Sequence, residues 1–128
     1  MDKKTNALNW FEIPALDIKR AQKFYESIFH IEMQDMGEMQ GMKMVGFPGE
    51  MGSGKATGGL VQSQMHKPST EGAIIYLNAN PSIQTVIDRI EKSGGKVVVP
   101  KTQITPEIGH MAFFIDTEGN KVALHAQN

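Results

Sequence analysis

The chain carries one pattern twice: a short strand, a polar helix cap, an amphipathic helix, and then three further strands. In the first copy, Trp10-Phe11-Glu12-Ile13 alternates in character and is closed by Pro14, which reads as a strand with Phe11 and Ile13 on one face. Asp17 follows as an N-cap. Beyond it Ala21, Phe24, Tyr25, Ile28 and Phe29 recur at three- and four-residue steps, while Lys19, Arg20, Lys23 and Glu26 fall on the opposite, solvated face. Further strands are expected at about 31–36, 40–47 and 57–62. A glycine-rich connection, Pro48 to Lys55, lies between the last two. It lacks the spacing and the following helix of a phosphate loop and reads as a hairpin connection or a loop over a pocket.

The second copy begins with Ala73-Ile74-Ile75-Tyr76-Leu77 as a strand, then Asn80-Pro81 as cap and first helical residue. Ile83, Val86, Ile87 and Ile90 form the apolar stripe of its helix, and Gly94-Gly95 supplies the stop. Val97-Val98-Val99 resumes β structure. Gly109–Ile115 and Lys121–Ala126 form a closing hairpin through Asp116-Thr117-Glu118-Gly119-Asn120. Trp10 precedes Asp17 by seven residues and Ala73 precedes Asn80 by seven, so the expected register pairs Trp10 with Ala73 and Glu12 with Ile75. A duplication of this kind demands two similar modules sharing one core. Module 1 is expected at about 8–62, a linker at 63–71 and module 2 at about 72–126, all within one domain spanning residues 1–128.

Composition narrows the function classes. With 13 basic and 14 acidic residues interspersed along the chain, no positive field for nucleic acid or an anionic membrane is implied. The expected partner is a small molecule. Cysteine is absent, which removes disulfides, thiolate nucleophiles and thiolate metal sites. No apolar run has the roughly 18 residues of a membrane span, and Asn9, Glu12 and Asp17 interrupt any signal-like segment after the basic N-terminus. The cytoplasm is the expected location.

Duplicated βαβββ modules with these motifs resemble the vicinal-oxygen-chelate superfamily, which includes glyoxalases and bleomycin-resistance proteins. The segment Trp10 to Tyr25 is similar to the superfamily's opening strand and helix, and Ala112 to Val122 is similar to its closing Phe-x-Asp-Pro-Asp/Glu-Gly-Asn hairpin, with Thr117 in place of proline. The resemblance covers about residues 8–126. It implies an α+β fold of the glyoxalase/bleomycin-resistance/dihydroxybiphenyl-dioxygenase type, in which two βαβββ modules form a curved sheet around a cleft. It also implies a homodimer, and either small-molecule sequestration or glyoxalase-like lyase or isomerase chemistry.

Metal-using members hold a divalent cation with four ligands, commonly His, Glu, His and Glu, from the first and last strands of each module. By register those positions fall on Trp10, a residue near Gly59 to Val61, Ala73 and Ala123. None of these side chains donates an electron pair to a metal, so no cofactor is expected and a divalent metal is disfavoured. The remaining polarity points to Glu12 and His125 as an acid–base pair, each two residues beyond a ligand position and on its face, or, less favoured, to a replacement metal site of Glu12, His110 and His125. Against this stands a structural carboxylate and a solvated C-terminal histidine. Trp10, Glu12, Ala73, Ile75, His110, Ala123 and His125 are the candidate ligand-binding residues. Trp10 is an aromatic wall or a cavity filler, and His110 stands at a strand start where it could meet a ligand. His30 and His66 read as helix-end and linker residues without a role. Met33, Met36, Met39, Met42, Met44 and Met51 suit a tolerant pocket or a dimer seam, although core filling is the commoner use.

Overall fold

A computed structural model describes residues 1–50 and 52–128; of the methionines singled out above, Met51 lies outside the described residues. The strands and helices run β1 (Trp10–Pro14), α1 (Ile18–Phe29), β2 (Gln34–Met39), β3 (Met42–Gly46), β4 (Thr57–Gln62), β5 (Tyr76–Asn78), α2 (Ile83–Ile90), β6 (Lys96–Thr105), β7 (Gly109–Ile115) and β8 (Lys121–Ala126). Two βαβββ modules are thus present, as the duplication requires. Backbone pairing divides the eight strands into two four-stranded sheets, ordered β1-β4-β3-β2 and β5-β8-β7-β6. In each sheet the first strand of the module pairs in parallel with the last, and the rest are antiparallel. β1 and β5 therefore end their sheets with one free edge each.

The helices form where caps and periodicity coincide. Asp17 accepts hydrogen bonds from the backbone N–H groups of Lys19 and Arg20, both at 3.1 Å, and α1 buries Ile18, Ala21, Phe24, Tyr25 and Ile28. His30 ends α1 in the left-handed region at φ 52°. α2 buries Ile83, Val86, Ile87 and Ile90, as its stripe predicts. Its cap, however, is Ser82, whose Oγ accepts from Thr85 N–H, and not Asn80. The first strand of module 2 is likewise shorter than expected, beginning at Tyr76.

Hydrogen bonding to the sheets fixes the register between the modules independently of the caps. Ala15 N–H donates to Val61 O at 2.9 Å and Ala79 N–H donates to His125 O at 2.8 Å, so Ala15 and Ala79 are equivalent in the two modules. Asp17 follows Ala15 by two residues, whereas Asn80 follows Ala79 by one and Ser82 by three. Counting seven residues back from Asn80 therefore reaches Ala73, one short of the register the sheet sets. The sheet equates Trp10 with Ile74, Glu12 with Tyr76 and Gly59 with Ala123. A one-residue shift moves a side chain to the other face of a strand, so Ala73 is not the counterpart of Trp10.

The core lies between the sheets and helices. Ile13 and Leu60 face inward from the first sheet, Leu77, Ala112, Phe114 and Leu124 from the second, and α1 packs against α2. Phe24 and Phe114 rings lie 5.9 Å apart, joining module 1 to module 2. The closing turn of module 2 is locked under module 1. Tyr25 Oη donates to Asp116 at 2.7 Å, Asn120 Nδ2 donates to Pro14 O at 2.7 Å, and Arg20 Nε donates to Glu118 at 2.7 Å. Burial pushes the Tyr25 hydroxyl well above its ordinary 10.0, with the Asp116 carboxylate adding to the effect. Tyr25 is therefore a neutral donor at every ordinary pH.

Candidate functional site

The candidate residues divide among three places. Strand alternation carries Trp10 and Glu12 to the outer face of the first sheet, opposite the buried Ile13. There Trp10 Nε1–H donates to Glu12 Oε2 at 3.2 Å, and His66 Nε2 lies 2.7 Å from Glu12 Oε1. His66 Nδ1 in turn lies 2.7 Å from Ser63 Oγ. The hydrogen bond from His66 holds the Glu12 carboxyl below its ordinary 4.5; partial burial opposes this and the Trp10 indole assists it. Glu12 is thus ionised near neutrality rather than raised toward a base poised at pH 7.

His125 occupies the equivalent outer face of the second sheet, beside Met111 and Ala123. Its Nε2 pairs with Ile108 O at 2.7 Å, and His110 Nδ1 pairs with Gln127 O at 3.2 Å. The structure brings Trp10 to Glu12 but joins neither His125 nor His110 to Glu12 by a hydrogen bond or ion pair. The partner Glu12 does have is His66, which the sequence pattern had placed in a linker without a role. No local signal marks it, because 54 residues separate the two in the chain.

Ala73 and Ile75 line a third feature, a groove of about 1080 Å³ between the modules. The free edge of β5 runs along it. Phe11, Phe29, Ile31 and Phe47 of module 1 face Ile75 and Leu77 of module 2 across it, with His30 and Arg89 among its polar residues. Arg89 Nη1 donates to Ile28 O at 3.2 Å, fixing the guanidinium against the end of α1. No Asp or Glu lines the groove, and no methionine among the described residues does so. Met33 is instead core, and Met36 and Met39 are exposed on β2. Pro48, Ala56 and Thr57 bring both ends of the glycine-rich connection to the groove. The apolar wall facing module 2 is supplied by Phe11, one residue from Trp10 and on the opposite face of β1.

The donor set does not fit a divalent cation at the superfamily's four positions. By the sheet register these are Trp10, Gly59, Ile74 and Ala123, an indole, a glycine and two aliphatic side chains, none of them a metal ligand. At Gly59 an added Cβ would stand 2.9 Å from Val45 O and 3.4 Å from Trp10, so this close backbone approach leaves no room for a ligating side chain. Among the described residues, no three His, Asp or Glu side chains cluster as a metal site.

Fold and sequence together define a duplicated βαβββ protein with a groove between its modules. The sequence pattern of the Glyoxalase/Bleomycin resistance protein/Dioxygenase superfamily matches residues 7–124, and the chain belongs to that superfamily. A glyoxylase-like domain-containing protein of Didymella fabae is 31% identical over 121 residues, covering 91% of each chain. Among solved structures, a glyoxalase/bleomycin resistance protein/dioxygenase family enzyme from Burkholderia phytofirmans PsJN superposes with a TM-score of 0.66 at 14% identity, covering 96% of this chain and 100% of that one. TnmS3, an antibiotic binding protein from Streptomyces sp. CB03234, superposes with a TM-score of 0.63 at 16% identity over 99% of this chain and 100% of its own.

Proposed function

We propose that this protein is a metal-independent small-molecule binder of the cytoplasm that takes an apolar, drug-sized ligand into the groove between its modules. The observation that carries the proposal is the groove itself. Its volume of about 1080 Å³ is just above the ~300–1,000 Å³ usual for ligand pockets, and its lining is aromatic and aliphatic with a few polar groups. The fold is shared with an antibiotic binding protein, so it is one on which sequestration is known. The test is a titration with the apolar anion 1-anilinonaphthalene-8-sulfonate, competed with a panel of aromatic antibiotics. Ala73 is exposed and lines the groove. Ala73→Trp should lower affinity about tenfold or more while leaving the thermal midpoint nearly unchanged, because it fills space the ligand needs and no core space. Unchanged affinity would place the ligand elsewhere. Chelation should leave binding intact, and stoichiometric nickel, zinc or iron in purified protein would end the metal-free proposal.

The free edges of β1 and β5, carrying the exposed Trp10 (38%) and Tyr76 (51%), support a homodimer in which these edges meet a second copy. Its mass by light scattering tests this. A second reading, lyase or isomerase chemistry resembling glyoxalases, is favoured by one observation, the 2.7 Å contact of Glu12 with His66, which supplies an acid–base pair in place of Glu12 with His125. Under that reading Glu12→Gln abolishes turnover of the substrate.

A further inference from the structure

Glu12 and His66 belong to a longer hydrogen-bonded chain whose proton order can be deduced. An ionised carboxylate only accepts hydrogen bonds, so the His66 Nε2 that lies 2.7 Å from Glu12 Oε1 carries the proton of that contact. In a neutral imidazole the other ring nitrogen is then an acceptor. In that neutral form Ser63 Oγ, 2.7 Å from His66 Nδ1, donates to it. The order is hydroxyl to imidazole to carboxylate, which is the order that activates a serine nucleophile; only the roles of the two ring nitrogens are exchanged relative to the usual Ser-His-acid arrangement. Trp10 Nε1–H holds the second oxygen of Glu12 at 3.2 Å and so fixes the carboxylate's orientation.

A local turn explains part of this geometry but not the whole. Ser63 Oγ accepts from Met65 N–H at 3.1 Å, and Ser63 and His66 are three residues apart, so those two would meet in any turn of this type. Glu12 comes from the opposite end of module 1, and the indole that orients it comes with it. Ser63 also lines, with Lys43, Gly41, Gln62 and Gln64, a pocket of about 300 Å³, room for a small acyl group near a cationic residue.

We propose that Ser63 is a nucleophile toward small carboxylic esters, with His66 as its general base and Glu12 as the positioning residue for His66. Ser63 Oγ attacks the ester carbonyl carbon and its proton passes to His66 Nδ1. The C–O bond to the leaving alcohol then breaks, and that proton returns from His66 to the alcohol oxygen. Water, deprotonated by the same nitrogen, attacks the acyl-serine; the acyl C–Oγ bond breaks, the proton passes from His66 to Ser63 Oγ, and the acid leaves. Ser63 and His66 are restored, so no oxidant, reductant or metal enters the balance. Lys43, lining the same pocket, supplies positive charge near the developing oxyanion.

The experiment incubates the full chain with p-nitrophenyl acetate and, separately, with a fluorophosphonate, and maps the modified residue by peptide mass spectrometry. The expected result is p-nitrophenolate release with acetyl and phosphonate carried on Ser63. Release should fall about a hundredfold in His66→Gln and in Ser63→Ala, the scale of general-base catalysis. Glu12→Gln should lower kcat and move the midpoint of its pH profile, whereas a partly unfolded population lowers only the amplitude of that profile. If Ser63→Ala does not fold, Ser63→Thr keeps a hydroxyl at the turn, and the site of labelling in the unaltered protein still decides. Label on lysine only, no label at Ser63, or a full rate in His66→Gln overturns the proposal. Because Ala73→Trp blocks the groove and not the Ser63 pocket, loss of ligand binding and loss of esterolysis are separable.

Discussion

Glu118 divides one buried carboxylate among five donors: the backbone N–H groups of Leu16 and Asp17, two nitrogens of Arg20, and the Thr117 hydroxyl. Burial pushes its pKa upward, but the hydrogen bonds from Arg20, the Asp17 backbone and Thr117 together outweigh it and hold the carboxyl below 4.5. A folded-state pKa that is depressed gives stability present above the unfolded value and lost as pH falls through the folded one. Acid should therefore loosen the contact between modules below about pH 4.5. Glu118→Gln should cost about 1–3 kcal/mol near neutrality, discounted because Arg20 is half exposed, and it should flatten the acid limb of the stability curve. Urea unfolding at pH 7 and pH 4 checks both. A variant that loses stability equally at the two pH values would contradict the assignment of that limb to Glu118.

At the scale of elements, the two helices and the strands that carry strong alternation were legible in the sequence, since Phe24, Tyr25 and Ile28, or Ile83, Val86 and Ile90, leave little choice of face. The start of module 2 was not, because Asn80-Pro81 and Ser82 are both good caps and one extra residue separates Ala79 from the helix. The Glu12–His66 pair was invisible for a different reason: it depends on a non-local approach between β1 and the residues after β4. The caps themselves are testable. Asp17→Ala removes two acceptor contacts and should cost roughly 1 kcal/mol in thermal or urea unfolding. Ser82→Ala, losing one long contact of 3.4 Å, should cost less than Asp17→Ala; the reverse order would count against Ser82 as the weaker cap. Gly58 is the tighter constraint. An added Cβ would stand 2.3 Å from Phe11 O and 2.5 Å from the Phe11 ring, so Gly58→Ala must separate β1 from β4. A loss of about 3 kcal/mol or more is expected, with the Glu12–His66 contact disturbed at the same time.

For the whole molecule, the two modules complete each other, and this limits how the protein unfolds and how it responds to a ligand. A module of about 60 residues buries too little surface to be comfortably stable alone. Here module 1 would also lose Phe114 from beside Phe24 and Tyr25, Asp116 from the Tyr25 hydroxyl, and Asn120 from the Pro14 carbonyl. Residues 1–66 expressed alone should therefore show no cooperative melting by circular dichroism, and should regain it when mixed with residues 67–128. An isolated module melting near the midpoint of the full chain would show that the shared core is dispensable. Because the groove is walled by both modules, a ligand bound there stabilises their association as well as each part. Saturation at a hundred times Kd should add about 2.7 kcal/mol and raise a single melting transition without splitting it. Two transitions, with only one moved by ligand, would mean that one module alone holds the ligand and that the groove between them is not the site.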